Sequence, residues 1–176
     1  MPVTSRVFRA RTLIAAAAAS FVLAASGYAQ KTNPFAKFHG NWVGNGEVYL
    51  ASGTKELIRC RGEFNAGEML KLDLKCANPG GVKFELQSDL VFASGAISGT
   101  WTETSRGLNG KVTGRMADDK ISAVAEGQTF TATLELTNFG DKQHVIIASP
   151  GSEISNVLIG LVRSGARSTQ SQPSGQ

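Results

Sequence analysis

The sequence predicts an all-β protein, an antiparallel meander of about eight to ten strands that closes into a barrel or stacks as a tight sandwich. From Phe38 onward, short runs with β-strand patterning recur about every ten residues, and turn-forming residues separate them. Apolar and polar residues alternate within the central runs, which gives a strand one buried face and one wet face. No run with helical periodicity longer than two turns follows residue 29.

Residues 1–29 are predicted to be a cleavable signal peptide. Three arginines precede the apolar stretch 13–25, and Gly27 and Ala29 put small residues at the −3 and −1 positions of a cleavage site before Gln30. An uncleaved membrane-anchoring helix is the alternative, although the stretch is short and rich in Ala for a membrane span. No Cys lies near the cleavage site, so a lipobox is excluded. We therefore expect a periplasmic or secreted protein with no transmembrane segment after cleavage.

Removal of residues 1–29 from the 176-residue chain leaves 147 residues, the size of one domain. The three Arg of the signal peptide account for most of the net charge, because 15 basic and 14 acidic residues remain. No run of Lys or Arg follows. This composition predicts no nucleic-acid partner.

The expected domain organisation is a linker over 30–37, a β-domain over 38–164 and a disordered Ser/Gln/Gly-rich tail over 165–176. Turn pairs such as Ser94-Gly95, Asn109-Gly110 and Asp118-Asp119 divide the domain. The predicted strands are 40–50, 56–65, 69–77, 82–92, 96–103, 110–116, 120–126, 129–138, 142–149 and 156–163.

The stretch 57–77 is predicted to form a hairpin with its turn near residues 66–68. An antiparallel register about Glu68 puts Cys60 opposite Cys76 on an apolar face, with Phe64 facing Leu72 and Gly62 facing Leu74. Facing cysteines in an exported protein form a disulfide, and closing a loop of about 15 residues stabilises the fold by roughly 3 kcal/mol. A metal site or a reactive thiol is the alternative, but no His or third Cys stands at ligand spacing.

Small residues within the strands have two explanations. They could hollow out a ligand cavity, or they could relieve crowding in the narrow interior of a small barrel. We favour relief of crowding. The residues concerned are Gly62, Gly99, Ala123, Ala125 and Ala132.

The sequence offers little for catalysis. His39 and His144 have no partner at the spacing of a zinc motif, and no nucleophile elbow, phosphate loop or dinucleotide fingerprint is found. We therefore predict no catalytic residue, no metal and no cofactor. An enzyme of unknown type is the least favoured alternative.

The segment Phe38-His39-Gly40-Asn41-Trp42 resembles the G-x-W motif that opens the first strand of lipocalin-like barrels. In those barrels the Trp closes one end and a basic residue late in the last strand packs over it. The resemblance implies that Arg163 packs over Trp42 through a cation–π contact. A ligand-binding site at the barrel mouth is then expected to include Trp42, Tyr49, Trp101 and Arg163.

Two further resemblances bear on function. The layout F-x-G-x-W, I-R-C-R, S-G-T-W-T-E and L-x-R-S is similar to a group of small uncharacterised exported proteins of Gram-negative bacteria. It implies a periplasmic β-protein, for which we expect a non-enzymatic binding or envelope-associated module. Its partner would be a small apolar ligand or an envelope protein. More distantly, the chain is similar to bacterial periplasmic metalloprotease inhibitors, which implies an alternative role in which residues 30–35 enter a protease cleft.

Overall fold

Ten antiparallel strands form a closed barrel in the computed structural model, which describes residues 33–165. Each strand pairs with its neighbours along the chain, and β1 closes the barrel against β10. The all-β prediction is confirmed, as a barrel and not as a sandwich. The strands are β1 (Gly40–Leu50), β2 (Lys55–Ala66), β3 (Leu70–Ala77), β4 (Lys83–Ala93), β5 (Ala96–Glu103), β6 (Leu108–Ala117), β7 (Lys120–Glu126), β8 (Thr131–Asn138), β9 (Lys142–Ala148) and β10 (Ile154–Arg163).

All ten predicted strands are present, and their ends differ from the prediction by at most two residues. The turns at Ser94-Gly95 and Asp118-Asp119 lie where the sequence placed them. The turn predicted at Asn109-Gly110 is wrong, because β6 already includes both residues and the turn ends at Gly107, with φ 67°. Gly110 pairs with Trp101, and a Cβ there would lie 1.7 Å from the Glu126 carbonyl oxygen and 2.8 Å from the indole Nε1 of that Trp. Its lack of a side chain therefore serves packing and not the turn.

The hairpin of β2 and β3 has the predicted register. Cys60 is paired with Cys76, and Phe64 and Gly62 face the two leucines expected. The cysteine Cα atoms are 4.1 Å apart and the sulfurs are joined in a disulfide. Both side chains lie inside the barrel, where they are almost fully buried. The disulfide therefore links two neighbouring strands within the core.

A short 3-10 helix, Ala36–Phe38, closes the barrel end at which β1 begins. Phe35 and Phe38 are fully buried, and the Phe35 ring meets Phe92 edge-on at 6.3 Å between centroids. Trp42 donates its indole N–H to the Phe38 carbonyl at 3.1 Å. We call this end, filled by Phe35, Phe38 and Trp42, the plugged end.

The described part of the predicted linker thus belongs to the barrel, because Phe35 contributes to its core. The predicted signal peptide, residues 30–32 and the predicted tail from residue 166 lie outside the described residues. Within residues 33–165, no helix is long and apolar enough to cross a membrane.

Inward-facing glycines let the strands approach each other closely. A Cβ at Gly44 would lie 1.9 Å from the Gly160 carbonyl oxygen, and a Cβ at Gly99 would lie 1.9 Å from that of Asp89. No side chain can occupy such a position unless the backbone moves. Crowding therefore explains Gly99, as the sequence analysis favoured.

Candidate functional site

A cavity of about 340 Å³ occupies the barrel end opposite the plug. The loops 51–54, 78–82, 104–107, 127–130 and 149–153 surround this end, which we call the cavity end. The walls are inward-facing side chains of strands β4 to β10 and the loops that join them. The apolar residues among them are Phe84, Leu86, Trp101, Leu108, Val112, Ala125, Phe130, Ala132, Leu134, Ile147, Ile154 and Val157.

Small side chains and one aromatic pair together line the cavity. Ala125 is paired with Ala132 on β7 and β8, so two strands contribute only methyl groups at this level. Trp101 forms part of the wall, with its ring centroid 5.6 Å from that of Phe130. Its indole N–H donates to the Glu126 carbonyl at 3.3 Å. Two of the alanines for which a cavity role was considered therefore do line a cavity.

A buried carboxylate stands at the rim of the cavity. Glu103 is 4% exposed, and its Oε1 accepts hydrogen bonds from the Glu85 N–H at 2.9 Å and from the N–H and hydroxyl of Ser105. Arg106 lies 3.5 Å from the other carboxylate oxygen, Oε2. Alternation along β5 directs Glu103 inward together with Trp101, and the backbone and Arg106 donors compensate its burial.

Arg106 contacts several hydrogen-bond acceptors around the rim of the cavity. Besides Glu103, it donates to the Lys83 carbonyl at 3.0 Å, and its Nε lies 3.9 Å from a carboxylate oxygen of Glu153. The loop between β5 and β6 is therefore tied both to the start of β4 and to the loop before β10.

Two serine hydroxyls of the cavity wall differ in their bonding. Ser88 and Ser149 are each 6% exposed. The Ser88 hydroxyl donates to the Thr100 carbonyl at 2.8 Å, whereas the Ser149 hydroxyl has no hydrogen-bond partner among the described residues. Ser149 continues the inward-facing row of Val145 and Ile147 on β9. Among the described residues, the wall therefore includes one buried hydroxyl without a partner.

Of the four residues predicted to bind a ligand, Trp101 alone lines the cavity. Trp42 and Arg163 meet at the plugged end, where the Arg163 guanidinium lies 4.2 Å from the centroid of the Trp42 ring. The predicted cation–π contact is thus confirmed, but it lies at the opposite end of the barrel from the cavity. Tyr49 faces outward, and its hydroxyl donates to Glu47 at 2.7 Å. The structure does not bring these four residues together.

Tyr49 belongs to a small polar cluster on the outer face of the barrel. Glu47 accepts from the Tyr49 hydroxyl and from Lys55 at 3.0 Å. The hydrogen bond to Glu47 raises the pKa of Tyr49 and the pKa of Lys55 above their ordinary values. The hydrogen bonds from Tyr49 and then from Lys55 lower the pKa of Glu47. All three groups are in contact with solvent.

Sequence reasoning missed Glu103, Arg106 and Ser149. Strand alternation offered a signal for Glu103, since this acidic residue follows Ile97, Gly99 and Trp101 on one face. Arg106 lies in a loop, where periodicity carries no information. Neither histidine lines the cavity, and residues 33–165 contain no group of three or more His, Cys, Asp or Glu side chains placed to hold a metal ion.

Comparison with solved structures supports the barrel assignment. The chain is similar to Rv2717c from M. tuberculosis, with a TM-score of 0.59 and 13% identity, over 75% of this chain and 98% of that one. It is also similar to the S-type phycobiliprotein lyase CPES from Guillardia theta, with a TM-score of 0.55 and 10% identity, over 76% and 92% of the two chains. No family model and no curated protein matches the sequence. At these identities the similarity shows the fold alone, an antiparallel β-barrel.

Proposed function

We propose that this protein is a non-enzymatic binding protein that holds a small, largely apolar molecule inside its barrel. The observation that carries the proposal is the cavity of about 340 Å³ at the cavity end, with its apolar walls. Its volume lies in the lower part of the range of small-molecule sites, which is roughly 300–1,000 Å³. The Trp101 and Phe130 rings give such a molecule an aromatic surface, and transfer of its apolar area from water would drive binding.

The asymmetry of the barrel supports the proposal. Aromatic side chains fill the plugged end, whereas the pair Ala125 and Ala132 leaves the cavity end unfilled. Protein interiors are usually packed to the density of organic crystals, so an unfilled apolar volume costs stability. A bound molecule would restore those contacts.

We also propose that the protein works in an oxidising compartment outside the cytoplasm. The predicted signal peptide and the disulfide between Cys60 and Cys76 support this location. The intact mass of protein purified from the periplasmic fraction or the culture medium should correspond to a chain that begins at Gln30 with both cysteines oxidised. A full-length mass, or two free thiols, would contradict this location.

The alternative function, protease inhibition by residues 30–35, finds less support. Phe35 is fully buried in the plugged end, and the Asn33 side chain donates to the Ala66 carbonyl at 3.0 Å. An arm that enters a protease cleft would have to release these contacts. The barrel cavity needs no such rearrangement to accept a ligand.

Binding can be tested with N-phenyl-1-naphthylamine, a neutral fluorophore whose emission rises in apolar surroundings. We expect saturable binding to the wild-type protein and loss of binding in Ala132→Phe, because the new ring would occupy the cavity. Ala77→Phe is the matched control, since Ala77 is exposed on the outer face of β3. Circular dichroism would verify that each variant is folded. Ala125→Leu would fill a smaller part of the cavity than Ala132→Phe does.

The proposal would be wrong if the wild-type protein did not bind the fluorophore, or if folded Ala132→Phe bound it as well as Ala77→Phe does. Native mass spectrometry of gently purified protein adds an independent measurement. A co-purifying small molecule that is lost in Ala132→Phe would identify the natural ligand.

A further inference from the structure

We propose that a basic depression on the outer face of β2, β3 and β4 is a binding site for a phosphate group. The proposal goes beyond the function proposed above, because this surface shares no residue with the cavity inside the barrel. A free phosphate and the phosphate of a lipid headgroup present the same chemistry to the protein. Separate arms of the test distinguish these two sources.

The register of the strands brings the basic side chains together. Arg59 and Arg61 lie on the outer face of β2, where both are exposed. Arg61 is paired with Lys75 on β3. Ala77 is paired with Arg59 on one side and with Lys83 on the other. The four basic side chains and Ala77 line a depression of about 420 Å³, which we call the basic depression.

The lining of the basic depression carries an excess of positive charge. Four basic side chains and one acidic side chain, that of Glu85, give the lining a net charge of +3. Within residues 33–165, no ion pair involves Arg59, Arg61 or Lys83. Exposed cations without a carboxylate partner can bind an anionic ligand without first breaking an ion pair.

The acidic residues nearest to the arginines in the strand pairing have other partners. Asp73 lies diagonally from Arg61 across β2 and β3, and it contacts Lys75 at 3.1 Å. Glu63 follows Arg61 by two residues and accepts a hydrogen bond from Asn65 at 3.1 Å. These two carboxylates lower the positive potential of the surface, but neither forms an ion pair with an arginine.

The disulfide lies directly beneath the basic depression. Cys60 stands between the two arginines on β2, and Cys76 stands between Lys75 and Ala77 on β3. The bond joins these two positions, whose Cα atoms are 4.1 Å apart. The strands that carry three of the four cations are therefore fixed relative to each other, which lowers the cost of ordering the site when a ligand binds.

A phosphate group fits this arrangement better than a carboxylate does. A phosphate monoester has three strong acceptor oxygens and a charge between about −1.5 and −2, whereas a carboxylate has two oxygens and one charge. Neighbouring strands are about 4.8 Å apart, so long side chains on three adjacent strands can reach one anion. Cations on different strands can then bind different oxygens of the same phosphate, and a guanidinium can bind two of them at once.

Isothermal titration calorimetry at low ionic strength tests the site with pyrophosphate. The arginine variant carries Arg59→Gln and Arg61→Gln, and the control variant carries Lys111→Gln and Arg115→Gln at exposed positions of β6. Both variants lose the same charge. We expect the arginine variant to bind pyrophosphate about tenfold more weakly than wild type, or weaker still, because charge-assisted hydrogen bonds are lost. The control variant should differ from wild type by about twofold or less, because only distant, screened charges change.

Two further probes define the ligand. Acetate should bind wild type about tenfold more weakly than pyrophosphate, because it offers fewer oxygens and less charge. Sedimentation with vesicles of equal parts phosphatidylglycerol and phosphatidylcholine, compared with phosphatidylcholine alone, tests a lipid headgroup. Binding to the mixed vesicles that is lost in the arginine variant would assign the phosphate to a headgroup. Pyrophosphate binding without vesicle binding would assign it to a free phosphate.

The proposal would be overturned if neither pyrophosphate nor the mixed vesicles bound wild type. It would also be overturned if the arginine and control variants weakened binding equally, or if acetate bound as tightly as pyrophosphate. Circular dichroism would verify that both variants are folded. Ala132→Phe should leave pyrophosphate binding unchanged, because the cavity and the basic depression are separate. A failure of fluorophore binding would therefore overturn the cavity function alone.

Discussion

Arg163 joins three parts of the chain through one side chain. Its guanidinium stacks over Trp42 and donates to backbone carbonyls of His39, Lys37 and Gly140. The end of β10 is thereby fixed to the 3-10 helix segment and to the turn between β8 and β9. A planar guanidinium can stack and donate in several directions at once, which an ammonium cannot do.

We expect Arg163→Lys to lower the free energy of unfolding by about 1–2 kcal/mol, since it keeps the charge but loses the stacking and the divergent hydrogen bonds. Urea unfolding followed by Trp fluorescence would measure the loss. Arg115→Lys, at an exposed position of β6, is the control and should change little. Equal losses in the two variants would show that Arg163 has no special structural role.

The hydrogen bond from Tyr49 to Glu47 predicts that stability depends on pH. The Tyr49 hydroxyl donates to Glu47, so ionisation breaks that bond and puts a phenolate beside a carboxylate. The pKa of Tyr49 therefore lies above the ordinary value of about 10. The stabilisation from this bond is present below the ordinary pKa and is lost as the pH rises through the raised pKa.

After cleavage before Gln30, Tyr49 would be the one tyrosine left of the two in the chain, so its ultraviolet titration can be read directly. Glu47→Gln should lower the pKa of Tyr49 toward the ordinary value, because the negative acceptor is removed. An unchanged titration curve in Glu47→Gln would contradict the assigned hydrogen bond.

At the scale of elements, the β2–β3 hairpin combines a local register with a covalent link. Cys60→Ser should lower the free energy of unfolding by roughly 3 kcal/mol, because the unfolded chain regains the entropy of the opened loop. The same change should follow from reductant added to wild type, and reductant should not affect the Cys60→Ser, Cys76→Ser double variant. A wild-type melting temperature that is the same with and without reductant would disprove the contribution of the disulfide.

The close approach of β1 and β10 gives a second prediction at this scale. Gly44→Ala should destabilise the barrel by about 1–3 kcal/mol or more, because the new methyl group would meet the Gly160 carbonyl. Gly160→Ala is a control on the partner strand, since a Cβ there has no atom within 4 Å. Urea midpoints should separate the two variants clearly. Similar midpoints would mean that the strands are not tightly coiled at this position.

The whole molecule is a barrel with two unlike ends. The plugged end takes its stability from aromatic packing contributed by the segment before β1, and the cavity end leaves space for a ligand. Truncation of Phe35 at the plugged end should therefore lower stability, whereas Ala132→Phe at the cavity end should lower ligand binding. The two experiments together test whether the ends have separate roles.

Phe35→Ala should lower the free energy of unfolding by about 3–5 kcal/mol, the range for truncation of a buried Phe. Phe139→Ala is the control, because Phe139 is 59% exposed and its truncation should cost about 0.5 kcal/mol or less. Chemical denaturation would measure both. If Phe35→Ala were as stable as wild type, Phe35 would not belong to the core, and a mobile N-terminal arm would regain support.

Local sequence patterns were sufficient to predict much of the fold. The regular spacing of β-patterned runs and turn residues located the ten strands, and the facing cysteines gave the register of β2 against β3. The prediction of a turn at Asn109-Gly110 was wrong: the pair is typical of a hairpin turn, but Gly110 lies within β6, where a side chain would meet the Glu126 carbonyl and the Trp101 ring. Turn propensity reflects the backbone preferences of the residue itself. It carries no information about which atoms of the neighbouring strands lie beside that residue.

The sequence by itself determined the all-β architecture, the strand positions, the disulfide and the contact of Arg163 with Trp42, because each depends on periodicity, on near neighbours or on a recognisable motif. Only the tertiary structure decided that Phe35 plugs one end, that Tyr49 faces outward and that Glu103, Arg106 and Ser149 surround a cavity. These facts depend on how ten strands curve into a closed sheet. Closure brings together residues that are distant in the chain, and pairwise patterns along the sequence do not encode which of them meet.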